Sequence, residues 1–229
     1  MLGNELYWAR VIRRDFVEET RTFGQALKDR ILKSFDNVEQ EAEKLKKEEW
    51  ERLLQAPADE DGGPDIGGLA ETAEHKGVNF YLTMTSLRQG LVNLFAVALH
   101  GLFLQHVMIL HRKELLWIHE ENDEKLCKVD EAWKRLRESR IDIEKFRSRR
   151  KIKELRLVAN TVKHAEGDSA NKLRKIRPDL FISPNSSLFK PLFGEDFFVK
   201  PDDIDSYTST IIEFWEELAI ALEKRAGTI

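Results

Sequence analysis

The sequence predicts an all-α protein, and three observations favour that fold class. Charged residues make up 34% of the 229 residues, against about 25% in an average soluble domain. Glycine and proline, which interrupt helices, number only 12 and 6. Apolar residues recur at spacings of three, four and seven through much of the chain, as in helices with one buried face. An apolar fraction of 41% is ample for a packed core.

The first helical pattern covers residues 5 to 54 and fits either two helices or one long bent helix. Residues 56–68 are rich in glycine, proline and acidic residues and predict a flexible loop. We therefore predict N-terminal helices in residues 1–55 that pack on a bundle, a loop at 56–68, and one helical domain at 69–229.

A long helix is predicted from about residue 80 to 120, as the spine of the bundle. Its apolar run at 91–110 is long enough to span a membrane, but it carries Asn93, His100, Gln105 and His106. Each of these side chains would need a partner in lipid. A helix that is apolar on nearly all sides is also typical of a protein core. We expect the core helix and no membrane contact.

The C-terminal half predicts four further helices and one irregular segment. A charged helix at 123–140 precedes a helix at 141–164, which Gly167 stops. Asp168 or Ser169 then caps a short helix at 170–176, and Pro178 ends it. An irregular segment follows at 177–201, with an extended piece at 197–199. Residues 201–203 cap the last helix, whose apolar face comprises Ile204, Tyr207, Ile211, Ile212, Trp215, Leu218 and Leu222.

The main candidate catalytic residues are Arg156, Asn160 and His164, which follow one another at four-residue steps. On a helix this spacing places the three side chains along one face. An arginine can hold phosphate, a histidine can act as acid or base near neutral pH, and an amide can orient either. The alternative is that His164 only caps the carbonyl end of its helix.

A basic segment at 144–156 leads into these residues and predicts a polyanion-binding surface. The net charge of −4 gives no global attraction to nucleic acid, so binding would depend on such a local patch. The candidate nucleic-acid-binding residues are Arg147, Arg149, Arg150, Lys151, Lys153 and Lys163. The alternative is an ordinary solvated helix face whose charges are offset by acids on neighbouring helices.

The remaining histidines and the single cysteine indicate neither a metal site nor a cofactor. His100 and His111 are predicted to share a face of the core helix and His106 to lie elsewhere, so hydrogen-bonded core imidazoles are expected. Cys127 is the only cysteine, which excludes a disulfide framework and fits a reducing cytosol. The N-terminal residues show no export signal. We expect a cytoplasmic protein without metal or cofactor.

Three segments resemble HEPN proteins of bacteria: Ser86-Leu-Arg-Gln-Gly-Leu-Val-Asn-Leu-Phe-Ala-Val-Ala-Leu-His100, Glu154-Leu-Arg-Leu-Val-Ala-Asn-Thr-Val-Lys-His164, and residues 167–181. The resemblance covers roughly residues 80 to 220 and implies a HEPN-like helical bundle with a long central helix. Many HEPN domains are dimeric, metal-independent ribonucleases of toxin–antitoxin and phage-defence systems, in which an arginine precedes a histidine on one helix.

Carried over to this chain, the resemblance assigns the histidine role to His164 and the arginine role to Arg156. Seven positions separate the two, more than in the active nucleases, and Leu157 stands where a polar residue is usual. The resemblance implies an endoribonuclease with His164 as acid/base, Arg156 as phosphate clamp, and Asn160 and Lys163 in support. It also implies a homodimer and an antitoxin or defence-system partner. The alternative is a non-catalytic module that binds RNA, a nucleotide or a protein partner.

Overall fold

The computed structural model describes residues 3–55, 65–181 and 197–227. In these ranges the secondary structure is helical, apart from one isolated antiparallel bridge between Phe181 and Phe197. This confirms the predicted all-α class. Residues 56–64 of the predicted loop and residues 182–196 of the predicted irregular segment lie outside the described ranges.

The α-helices of the described ranges are α1 Glu5–Val11, α2 Glu18–Ala26, α3 Val38–Leu54, α4 Ile66–Leu110, α5 Val129–Glu138, α6 Arg149–His164, α7 Asp168–Ile176 and α8 Pro201–Ala226. Wider π-type turns occupy Ile12–Val17, Leu27–Ile31 and His111–Leu115, and tighter 3₁₀ turns occupy Leu32–Phe35, Ile143–Lys145 and Pro178–Leu180. The π-type turns follow α1 and α2 without a gap in the chain. Residues 5–31 therefore form one continuous helical segment with two π-type stretches, and α3 is a separate helix.

The chain divides into two compact units. One comprises Met1–Leu27 with Val92–Ile229, and the other comprises Lys28–Leu91. In the second unit α3 approaches the first part of α4 so closely that a Cβ on Gly77 would lie 3.0 Å from the carbonyl oxygen of Ala42. The helices α1 and α2 thus group with the C-terminal helices, and no change in composition marks this division.

The core of the first unit is built on α8. Its buried face matches the predicted apolar face, with Ile212 half-buried and with Phe214 and Ala219 in addition. From α4, Phe103 contacts the rings of Phe214 and Trp215, at centroid distances of 5.1 and 5.5 Å. The start of α8 is capped as predicted, because the Lys200 N–H donates to the Asp203 carboxylate at 3.0 Å.

Several helix boundaries differ from the predictions. Helix α4 begins at Ile66 rather than near residue 80, because its first turns are polar and glycine-containing and so show no apolar period. Helix α5 is shorter than predicted, since residues 117–128 form successive turns. Gly167 does not stop α6, which ends where Ala165 adopts a positive φ of 54°. Instead Gly167, at φ 154°, immediately precedes α7, and Asp168 lies in the first turn of α7 without a side-chain cap.

Helix α6 begins at Arg149 rather than residue 141, because α8 fixes the chain just before it. The Glu217 carboxylate accepts hydrogen bonds from the backbone N–H of Arg147 at 2.8 Å and from the Ser148 hydroxyl at 2.6 Å. Farther along, Glu154 on α6 accepts a hydrogen bond from the Tyr207 hydroxyl of α8 at 2.8 Å. These contacts join the two helices at two points and set the direction in which α6 faces.

Arg177, just after α7, completes this polar network. Its guanidinium donates to Glu154, Asp179 and Asp203, at 2.7, 2.9 and 2.7 Å. Burial opposes the charge on Glu154, but the hydrogen bonds from Lys151, Tyr207 and Arg177 outweigh it and hold the pKa of Glu154 below its usual value. The network therefore connects α6, the end of α7 and the start of α8.

Helix α4 and the turn after it form the one candidate membrane span in the described part of the chain, by length and composition. Within its most apolar stretch, 56% is buried inside the protein, and the core helix of a soluble protein passes the same test.

Replacing Arg177 by glutamine should lower the free energy of unfolding by on the order of 3 kcal/mol, because the mostly buried Asp203 would lose its ion pair and Glu154 would keep only Lys151. The matched control is Arg14→Gln, which removes an equal charge from a surface pair whose arginine is 76% exposed. We expect a change of about 0.5 kcal/mol or less there. Urea unfolding of the three proteins measures both values, and equal stabilities would contradict the structural role of Arg177.

Candidate functional site

A cleft of about 610 Å³ lies among α4, α5, α6 and α7 in the first unit. Its lining is strongly basic, with six cationic side chains and one carboxylate, that of Asp130. The six, called the cleft cations below, are Lys128, Arg149, Lys153, Arg156, Lys163 and Lys172. For a chain with a net charge of −4, this is a pronounced local concentration of positive charge.

Helix α6 supplies the largest share of this lining, through its amphipathic pattern. Leu155, Val158 and Ala159 are buried on one face. The opposite face carries polar residues at steps of four, three, four and three positions, which keep side chains on one side of a helix. These residues, called the α6 stripe below, are Arg149, Lys153, Arg156, Asn160 and Lys163, and all of them line the cleft.

The cleft cations differ in whether a carboxylate neutralises them. Glu144 pairs with both Arg149 and Lys153, at 2.8 and 2.6 Å, and these two cations hold the pKa of Glu144 below its usual value. The other four have no ion pair or hydrogen-bonded partner in the described ranges. They are Lys128, Arg156, Lys163 and Lys172, and all four are exposed to solvent. Their mutual repulsion in the cleft favours the binding of an anion.

His100 of α4 also lines the cleft, although only 6% of its surface is exposed. Within the described residues its imidazole has no hydrogen-bond partner. Burial, together with the positive charges of Lys163 and Arg156, lowers the pKa of His100 to about 4. The ring is therefore neutral at pH 7 and presents one N–H donor and one acceptor nitrogen.

Of the three predicted catalytic residues, Arg156 and Asn160 lie together in the cleft. His164 is exposed on the last turn of α6 and does not belong to the lining. The histidine that accompanies Arg156 in the cleft is therefore His100, from another helix.

The predicted nucleic-acid-binding residues fall into two groups. Arg149, Lys153 and Lys163 line the cleft. Arg147 instead pairs with Glu213 of α8 at 3.3 Å, and Lys151 lies 2.8 Å from Glu154. Arg150 is exposed but outside the cleft lining.

Sequence reasoning missed Lys128, Lys172, Trp133 and the place of His100 in the site. Lys128 immediately precedes α5 and Lys172 lies in the middle of α7, and no periodic signal groups them with α6. Trp133 lines the cleft beneath Arg149, whose guanidinium carbon is 5.5 Å from the ring centre. That contact occupies one face of the indole, so the cleft offers charge and hydrogen bonds more than an open stacking surface.

The other buried histidines satisfy the expectation of hydrogen-bonded core imidazoles. His106 lies 2.9 Å from the Glu19 carboxylate, and His111 lies 2.8 Å from the carbonyl oxygen of Leu126. The Cys127 thiol donates to the carbonyl oxygen of Glu121 at 3.4 Å. Across residues 3–55, 65–181 and 197–227, no group of three or more histidine, cysteine or carboxylate side chains is placed to hold a metal ion.

The lowered pKa of His100 predicts a pH-dependent stability. Between about pH 6.5 and pH 4 the unfolded chain binds a proton at this imidazole that the folded chain does not. The contribution of the neutral His100 ring to the free energy of unfolding is therefore fully present above this window and is lost as the pH falls through it. At about pH 5 the loss amounts to roughly 2 kcal/mol.

Urea unfolding at about pH 7.5 and pH 5 measures this effect. The loss of stability at pH 5 should be absent in His100→Gln and should persist in the control variant His75→Gln. His75 has a side chain that is 70% exposed. An identical pH dependence in wild type and His100→Gln would show that His100 titrates normally.

Comparison with protein families, with curated proteins and with solved structures finds no match to this chain. The likeness to HEPN proteins therefore stays an expectation carried by the segments around His100 and His164. The geometry of the cleft stands independently of that likeness. Its unpaired cations, its amide and its buried imidazole are the features that bear on function.

Proposed function

We propose that this protein binds RNA and that the cleft cations hold the phosphates of a single strand. The observation that carries the proposal is the convergence of Lys128, Arg156, Lys163 and Lys172 on one cleft, where no carboxylate of the described ranges is paired with any of them. Phosphate contacts of this kind supply most of the affinity in non-specific nucleic-acid binding. A cleft of about 610 Å³ accommodates a few groups of one strand but not a double helix.

The resemblance to HEPN proteins favours RNA over DNA and gives the proposal its setting. In that setting the protein acts in the cytoplasm, as a homodimer, within a toxin–antitoxin or antiviral defence system, and an antitoxin or other defence protein is its partner. The single cysteine is compatible with a reducing compartment.

Metal-independent RNA cleavage is the second candidate function, favoured by the presence of Arg156 and Asn160 in the same cleft. In such a reaction His164 removes the proton from a ribose 2′-hydroxyl. The 2′-oxygen then attacks the adjacent phosphorus to form a 2′,3′-cyclic phosphate. The bond from phosphorus to the 5′-oxygen of the next nucleotide breaks, and this oxygen takes a proton from water. Arg156 stabilises the charge that develops on the phosphate. The exposure of His164 on the last turn of α6 leaves it accessible to a strand that extends from the cleft.

Binding of a fluorescent single-stranded RNA, followed by anisotropy over a range of salt concentrations, tests RNA binding. Arg156→Gln and Lys163→Gln should each weaken binding about tenfold and lower the slope of log K against log salt by about 0.7. Arg14→Gln, with its arginine 76% exposed, removes an equal charge elsewhere and should leave both quantities unchanged. Equal losses in all three variants would place RNA binding outside the cleft.

Incubation of the protein with RNA in EDTA tests the catalytic candidate. Cleavage should persist without metal, and His164→Gln and Arg156→Gln should each reduce its rate by about 100-fold or more. Circular dichroism of each variant controls for folding. Intact RNA after incubation with a protein that binds it, or cleavage that His164→Gln leaves unchanged, would restrict the function to binding.

A further inference from the structure

His100 is the most unusual polar group of the cleft, because it is nearly buried and yet neither of its ring nitrogens has a hydrogen-bond partner among the described residues. Only 6% of its surface is exposed, and no described residue accepts from or donates to the ring. The imidazoles of His106 and His111 in the same unit each use one ring nitrogen, towards Glu19 and Leu126, while their Nδ1 atoms are enclosed without a partner. The ring nitrogens of His100 are not among these enclosed atoms, and His100 lines the cleft, so they are accessible from the cleft. A ligand that enters the cleft can provide the missing hydrogen bond.

The groups around His100 specify the charge of that ligand. Lys163 and Arg156 of α6 lie close enough to lower the pKa of the ring. Lys128 and Asp130 face the cleft from the start of α5, and Lys172 faces it from α7. The helices α5 and α7 both lack a side-chain cap, so the free N–H groups of their first turns add positive potential. The ligand is therefore an anion with several acceptor oxygens.

We propose that the part of the cleft lined by His100, Arg156 and Lys163 is a subsite for a terminal phosphate monoester, which these three side chains contact. The inference rests on the proposed function, since it assigns the end of a strand to the site that binds RNA. A monoester carries a charge between about −1.5 and −2 at pH 7 and has three terminal acceptor oxygens. A phosphodiester inside a strand carries a single charge and offers two such oxygens.

The lining of the cleft also favours a chain end over a chain interior. Besides His100 it includes the buried residues Phe103 and Ile152. An internal phosphodiester would have to bring the nucleotides on both sides of it against these apolar groups. A terminal phosphate reaches His100 with only one connection to the remainder of the ligand. The same chemistry is present in a free nucleoside monophosphate, so the two sources have to be compared directly.

Affinities for four probes test the subsite: one short RNA with a 5′-phosphate, with a 3′-phosphate or with hydroxyls at both ends, and uridine 5′-monophosphate. Wild-type protein should prefer one phosphorylated RNA over the hydroxyl form by about tenfold, the effect expected of one charge-assisted contact. His100→Phe, which keeps a ring but has no N–H, should abolish this ratio. His100→Gln, which restores an N–H donor, should recover part of it, and His75→Gln should leave it unchanged.

The ratio of two affinities within one variant is insensitive to a general loss of stability. A phosphorylated-to-hydroxyl ratio near one in the wild type, or an unchanged ratio in His100→Phe, would overturn the subsite while leaving RNA binding intact. No binding of any RNA would overturn the proposed function and the subsite with it. Binding of uridine 5′-monophosphate as tightly as phosphorylated RNA would support the subsite and would contradict RNA as the ligand.

Discussion

The attachment of α6 to α8 is the constraint on which the candidate site depends. Glu217 of α8 fixes the backbone just before α6. Tyr207 of α8 and Arg177 both donate hydrogen bonds to Glu154, which lies in the first half of α6. Because Glu154 is held towards α8, the α6 stripe faces away from it and lines the cleft. A helix with so many like charges would otherwise be free to rotate and spread them in solvent. Packing and hydrogen bonding to α8 therefore impose the concentration of charge that makes the site.

That concentration of charge is compensated only in part. Glu144 neutralises Arg149 and Lys153 at one end of the stripe, whereas Arg156 and Lys163 remain unpaired in the described ranges. Burial is the main cause of the low pKa of His100, and the positive charges of Lys163 and Arg156 lower this pKa further. An anion bound in the cleft would relieve the repulsion and supply a partner for the imidazole. Charge and the missing hydrogen bond thus point to one kind of ligand.

The sequence predicted the parts of the structure that depend on local period. The buried face of α8 and the polar face of α6 both follow from spacings within one helix. Arg156 and Asn160, expected on one side of α6, both line the cleft, whereas His164, expected beside them, does not. Helix boundaries that depend on distant contacts were predicted poorly. The start of α6 is an example, because the hydrogen bonds that Glu217 of α8 accepts fix the chain just before it. The place of His100 in the cleft was also unpredictable, because a histidine in an apolar helix gives no local sign of the cations that another helix brings to it.

Mapping the bound RNA by amide NMR tests the central claim, that the cleft cations receive RNA phosphates, most directly. On titration with a short single-stranded RNA, we expect the largest shifts along the α6 stripe and at the first turns of α5 and α7. Lys44 and Lys47 of α3, which are 76% and 75% exposed, should remain unaffected although they are also cationic. Shifts centred on α3 or spread evenly over exposed lysines, with the α6 stripe unchanged, would contradict the assignment of this cleft as the binding site.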